Sequence, residues 1–380
     1  MSESPCTTGE GAGSHVSDAA ARELLEEVVA TPSVTGEERA CAELLVSFFE
    51  SHGREAWLDD VGNVRAPADD AVLLTSHIDT VPGDIPVRVE DGGSAETTRD
   101  GGGEAAEANE DGPELWGRGS VDAKGPLVAM AVAAVSTGVS FVGVVGEEVD
   151  SRGAHHLVED RAAPEAVVNG EPSGWDGITL GYRGLLAGTY VATSASGHTS
   201  RPENNAIQDG MDWWNAVTAA FADDGDEWTP VFERVTPKPI DVQGGTSDDG
   251  LSVEATMEVQ FRVPPSLTVD EVREVADGEL NGGTVRWHDS VPPVMQSPRT
   301  EVARAFRVAI REAGGDPRLL RKTGTADMNL YAKAWDCPMV TYGPGDSDLD
   351  HAPDEHLSLA AFDRSVAVLE SVARTLQGES

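Results

Sequence analysis

Cysteine is scarce in this chain of 380 residues: three occur, Cys6, Cys41 and Cys337, and none shares a CxxC spacing. The odd, scattered trio argues against a disulfide framework and against a zinc ribbon. A bound metal would therefore sit on histidine and carboxylate, and the expected compartment is the cytoplasm. Basic residues are also few, 27 Lys and Arg against 67 Asp and Glu, and no basic stripe exists. Binding to bare nucleic acid, which relies on clustered Lys and Arg, is thus not expected. Nor does any segment approach the roughly 20 apolar residues of a membrane span, and no signal-type apolar region opens the sequence, so a soluble, unexported chain is expected.

What is present in excess is acid. The formal net charge of -40 is dispersed over helices, loops and one insertion instead of a single tail. Two readings compete: adaptation to a cytoplasm of molar salt, where screening relieves self-repulsion, or an acidic face that captures a basic partner. Dispersal favours the first.

The apolar pattern predicts amphipathic helices over residues 19 to 29 and 36 to 49, the second opened by a Thr35-x-x-Glu38 capping box. A short apolar run, Ala71-Val-Leu-Leu-Thr75, reads as a buried strand that presents Ser76 to Asp79 at its C-terminal end. Residues 90 to 113 are nearly all Gly, Glu, Asp, Ala and Thr, and read as a flexible acidic insertion. A small-residue helix over 125 to 136 and strands over 140 to 146 and 165 to 169 then alternate. That alternation implies an α/β catalytic domain with a mixed, largely parallel sheet. From residue 183 the texture becomes β-α-β-β-α-β, which fits an inserted α+β, ferredoxin-like lid or dimerisation domain with an available sheet edge. The expected division is 1–182, 183–290 and 291–380, the last part returning to the catalytic domain.

Chemistry-bearing residues follow the apolar runs. Gly143-Val-Val-Gly-Glu-Glu-Val-Asp150 ends a strand-like segment in two adjacent carboxylates. Ser76-His-Ile-Asp-Thr80, Gly117-Arg-Gly-Ser-Val-Asp-Ala-Lys-Gly125, Asn169-Gly-Glu-Pro172 and Asp350-His-Ala-Pro353 are placed alike. A pair of divalent metals needs a shared carboxylate, further oxygen or imidazole ligands and an open position for water. His77, Asp122, Glu148, Glu171 and His351 answer that description. Glu147 is left over, and a spare carboxylate beside an activated water is what a general base requires. Asp79, two residues after His77, could accept the second N–H of that ring. His198 is a candidate oxyanion donor in the inserted domain. Arg262, closing a long alternating strand, is a candidate for a substrate carboxylate. His15, His52, His155, His156, His288 and His356 read as ordinary surface or partly buried residues.

Taken in order, these motifs resemble the M20 metallopeptidases and deacylases from about residue 20 to 375. The resemblance implies that His77 and Glu171 bind one metal, Glu148 and His351 the other, and that Asp122 bridges them, with Glu147 as base. It further implies two divalent ions, Zn2+ or Co2+, and a homodimer in which His198 of the lid serves the other subunit. Arg262 and Thr325, in the loop Gly324-Thr-Ala-Asp327, would address substrate. The stretch Gly170-Glu-Pro-Ser-Gly-Trp-Asp-Gly-Ile-Thr-Leu-Gly-Tyr-Arg-Gly184 is similar to the lysine-biosynthetic branch that hydrolyses lysine or ornithine from a LysW-type amino-group carrier protein. Asp122-Ala-Lys-Gly, in place of Asp-Met-Lys-Gly, agrees with that branch. The alternatives are an N-acetylornithine or succinyl-diaminopimelate deacylase, a dipeptidase, or a metal-free binding protein retaining the fold.

Overall fold

Four parallel strands carry the site. They are Val139–Val144, Asp69–His77, Val167–Gly170 and Met339–Thr341, in that spatial order, in a computed structural model that describes residues 15–91, 112–198, 200, 202–222 and 229–378. Each strand buries an apolar run, and Val139–Val144 is buried along its whole length. Strands covered on both faces cannot alternate apolar and polar residues, so their sequence reads as continuous hydrophobic runs. Val64–Ala66 adds antiparallel at one side, and Gly177–Tyr182 pairs antiparallel with Met339–Thr341 at the other.

The helix Lys124–Thr137 is buried from Lys124 through Val135. A helix apolar all round belongs inside a core, and this one packs against the sheet and against helices Asp18–Ala30 and Leu359–Leu376. The helix Asp18–Ala30 starts at Ser17, whose hydroxyl accepts the Ala20 N–H. The expected capping box at Thr35 and Glu38 does not form. The second helix runs Arg39–Ser51 with no side-chain cap, because the Thr35 hydroxyl donates to Asp79 at 2.8 Å and the Glu38 carboxylate pairs with Arg152.

The chain groups into two compact units: residues 1–180, 296–320 and 334–380 form one, and 181–295 with 321–333 the other. The second has a four-stranded antiparallel sheet in the order Thr236–Thr246, Ser252–Val263, Gly184–Ala195, Thr284–Val291. Its helices Ala206–Ala220 and Val269–Gly278 both open with complete capping boxes, Asn205 with Gln208 and Thr268 with Glu271. They pack on a core containing Tyr190, Trp213 and Phe261. The β-α-β-β-α-β order is the one expected. Most of the acidic insertion, residues 92–111, lies outside the described residues; its flanks Arg88–Glu90 and Glu114–Trp116 pair antiparallel. Among the described residues no helix is long and apolar enough to cross a membrane.

Candidate metal centre

His77 is the last residue of its strand, and its ring is buried. Its Nδ1 lies 2.9 Å from the main-chain carbonyl oxygen of Asp79. A carbonyl can only accept, so Nδ1 carries the hydrogen, and the neutral ring presents a lone pair at Nε2. That lone pair faces carboxylates: Asp122 Oδ1 at 3.1 Å and Glu171 Oε2 at 3.9 Å. Acceptors facing acceptors need a cation between them, whether a proton or a metal ion.

A second imidazole repeats the pattern. His351 Nε2 lies 3.2 Å from Asp122 Oδ2 and 3.1 Å from Glu148 Oε1. Asp122 therefore turns one oxygen toward each histidine, which is the disposition of a bridging ligand. Ligand atoms of His77, Asp122 and Glu148 all fall within 4.8 Å of one another. Two imidazole nitrogens and three carboxylates make a nitrogen and oxygen donor set, and the residues fit a pair of divalent ions.

The titration of these groups follows from their contacts. Burial alone would lower His77, but the side chains of Asp122 and Asp79 against its two ring nitrogens, with the charges of Glu171 and Asp122, hold it well above its ordinary value. His351 is pushed up to about 9, first by its hydrogen bond to Asp122. Burial opposes ionisation of Asp122, yet the two histidines hold it well below the usual carboxylate range. Glu148 is raised, chiefly by burial.

Asp79 meets the His77 Nδ1 with its carbonyl and, farther off, with its carboxylate. Its carboxylate is 3.6 Å from His77 Nδ1 and acts on the ring through charge, the hydrogen bond going to its carbonyl. The carboxylate oxygens are taken elsewhere: they accept the N–H groups of Glu147 at 3.1 Å and Glu148 at 3.2 Å, and the Thr35 hydroxyl. Asp79 thus fastens the turn that bears both glutamates. That turn begins at Gly146, whose φ of 78° lies in the left-handed region. Glu147 itself is half-buried beside Glu148.

The remaining candidates belong to the second unit. His198 is exposed, and its Nδ1 accepts the Ser200 N–H at 3.2 Å, which leaves the hydrogen of the neutral ring on Nε2 as a donor. Arg262 reaches Thr325 Oγ1 at 3.3 Å, and among the described residues no carboxylate pairs with it. Burial lowers both Arg262 and the neighbouring Arg183, and the charge of Arg262 lowers Arg183 further.

One buried acid escaped the sequence reading. Glu355 is fully buried and accepts the N–H groups of Gly119, Val121 and Asp122 as well as the Arg118 guanidinium. In the sequence it looks like half of a solvated Asp354-Glu355 pair, and only the remote Gly119 to Asp122 turn makes it otherwise.

The ordered motifs, the parallel sheet and the convergent histidines and carboxylates share one further property: residues 73–375 match the family described as peptidase family M20/M25/M40. The chain belongs to that family. Within the reach of M20 relatives, the LysW-lysine hydrolase of Deinococcus radiodurans is 39% identical over 94% of this chain and 98% of its own length. The LysW-lysine/LysW-ornithine hydrolase of Sulfurisphaera tokodaii is 27% identical, covering 89% of this chain and 90% of its own. A dinuclear metal-binding M20 peptidase of Bacillus subtilis superposes with a TM-score of 0.63 at 16% identity, over 95% of this chain and 98% of that one. The M20 fold, a mixed α/β architecture with a largely parallel central sheet, is thereby shared.

Proposed function

We propose that this chain is a dinuclear metal-dependent amidohydrolase that releases L-lysine or L-ornithine from the γ-glutamyl C-terminus of a LysW-type amino-group carrier protein. The observation that carries the reading is Asp122, with one oxygen toward His77 and the other toward His351, beside the paired Glu147 and Glu148. The full-length similarity to LysW-lysine hydrolase supports the substrate. His77 and Glu171 would hold one ion, Glu148 and His351 the other, and Asp122 both. Ions held there, Zn2+ or Co2+, would supply Lewis acidity and lower the pKa of water toward about 7.

The protein groups do the rest. Water oxygen adds to the amide carbonyl carbon while Glu147 takes its proton. As the C–N bond breaks, Glu147 delivers a proton to the departing α-amine, leaving a free carboxylate on the carrier and a free amino acid. His198 donates from Nε2 to the developing oxyanion, in keeping with the tautomer that Ser200 imposes. In a homodimer it would serve the other subunit's site. Arg262, which pairs with no carboxylate among the described residues, and Thr325 would receive the carboxylate of the amino acid. A cytoplasmic place in lysine and arginine biosynthesis, with the acidic surface as an adaptation to salt, completes the reading.

The test is release of lysine and ornithine from the carrier-linked substrates in molar salt with added Zn2+ or Co2+, with Glu147→Gln alongside. The wild type is expected to release the amino acid, and Glu147→Gln to lose roughly 10²- to 10⁴-fold in turnover with its metal content unchanged. Cleavage confined to N-acetylornithine, succinyl-diaminopimelate or dipeptides would remove the carrier from the reading.

A further inference from the structure

The loop that supplies His351 also supplies Glu355, and the two reach the same residue from opposite directions. His351 meets the Asp122 side chain at 3.2 Å, while Glu355 Oε1 accepts the Asp122 main-chain N–H at 3.1 Å and that of Val121 at 2.9 Å. The other oxygen, Oε2, accepts Gly119 N–H at 3.1 Å and Arg118 Nη1 at 2.8 Å. A carboxylate offers about four lone-pair directions, and here all are used, in a side chain with no exposed surface.

The peptide it grips has little freedom of its own. Gly119 sits at a φ of 81°, and a Cβ there would lie 2.6 Å from Thr80 Cγ2. The turn from Gly117 to Ala123 has no regular ladder to hold it before the helix Lys124–Thr137 begins. Its internal bonds are Ser120 N–H to the Gly117 carbonyl at 3.1 Å and Lys124 N–H to the Gly119 carbonyl at 2.8 Å. Neither fixes the plane of the Asp122 peptide, whereas Glu355 does. Hydrogen bonds to a charged acceptor are also about twice as strong as neutral ones.

We infer that Glu355 is a positioning residue: it sets the main chain of Asp122 so that the two carboxylate oxygens divide between the ligand groups of His77 and His351. This rests on the ligand assignment proposed above. Second-sphere partners of metal ligands typically govern 10- to 100-fold in metal affinity or activity, and Glu355 acts in the same way through a ligand's backbone.

The experiment is a Co2+ titration of the metal-stripped full chain, followed by the visible absorption of bound cobalt and by equilibrium dialysis, for wild type, Asp122→Asn and Glu355→Gln. Asp122→Asn is expected to weaken binding. Glu355→Gln, which turns a donor toward N–H groups, is expected to raise the Co2+ Kd by roughly 10- to 100-fold in folded protein, with part of the lost turnover recovered at high Co2+. A Kd within about twofold of wild type for Glu355→Gln, when Asp122→Asn does raise it, overturns the inference. Binding unchanged in Asp122→Asn would instead overturn the ligand assignment. Should Glu355→Gln fail to fold, Glu355→Asp keeps the charge one methylene short and carries the same expectation; a chain that folds in neither form makes Glu355 a folding residue and also overturns it.

Discussion

Two imidazoles, His77 and His351, dominate the pH behaviour of the centre once it is stripped by chelation. His351 titrates near 9 when folded, above the roughly 6.5 of an unfolded histidine, and His77 is raised in the same direction. Between those values the folded protein holds more protons than the unfolded chain, so stability falls as pH rises. The contribution is complete below about pH 6.5 and lost as pH passes about 9. Thermal melts of chelated protein should accordingly show a falling Tm from pH 6.5 to 9.5, and a flat profile would refute the arrangement. At this scale the sequence was readable wherever an apolar run stopped at a charged residue, as at His77, Glu148 and Glu171. At Asp79 it was incomplete, because a His-x-Asp spacing cannot tell a main-chain acceptor from a side-chain one, and the ring meets the carbonyl at 2.9 Å and the carboxylate at 3.6 Å. It was silent at Glu355, whose partners lie more than 230 residues away.

Helix starts show how the same local code can succeed or fail. Asn205 and Gln208 satisfy each other's backbone N–H groups, as do Thr268 and Glu271. Thr35 and Glu38 carry the same signature, yet both side chains are drawn to stronger partners, Asp79 and Arg152. Tertiary charge outcompetes a local cap there. Replacing Asn205 with Ala should therefore cost about 1 kcal/mol in denaturant unfolding, as a working N-cap does. The same substitution at Thr35 should register in turnover through Asp79 and not as the loss of a cap. Strands Gly177–Tyr182 and Arg318–Lys322 and the helix Asp327–Ala334 escaped the sequence reading. The first hid inside a motif read for its family signature, and the other two are short, with mixed polarity and no clean period.

For the whole molecule, charge is the governing quantity. Forty excess negative charges repel one another across roughly 10 Å at 0.1 M salt but only about 3 Å at 1 M. Tm should therefore rise between 0.1 and 1 M NaCl, read by circular dichroism; a fall would count against the acidic surface as an adaptation to salt. The division of the chain into interleaved segments carries a further consequence, for synthesis. Met339–Thr341 lies between Val167–Gly170 and Gly177–Tyr182 in the sheet, although it is made more than 150 residues after either. On the ribosome, the nascent protein must hold an open seam beside Val167–Gly170 until that strand emerges. His351 and Glu355 follow behind it, so the same late stretch closes the sheet and completes the proposed ligand set. Translation order alone thus keeps the centre unfinished until His351 and Glu355 have been made.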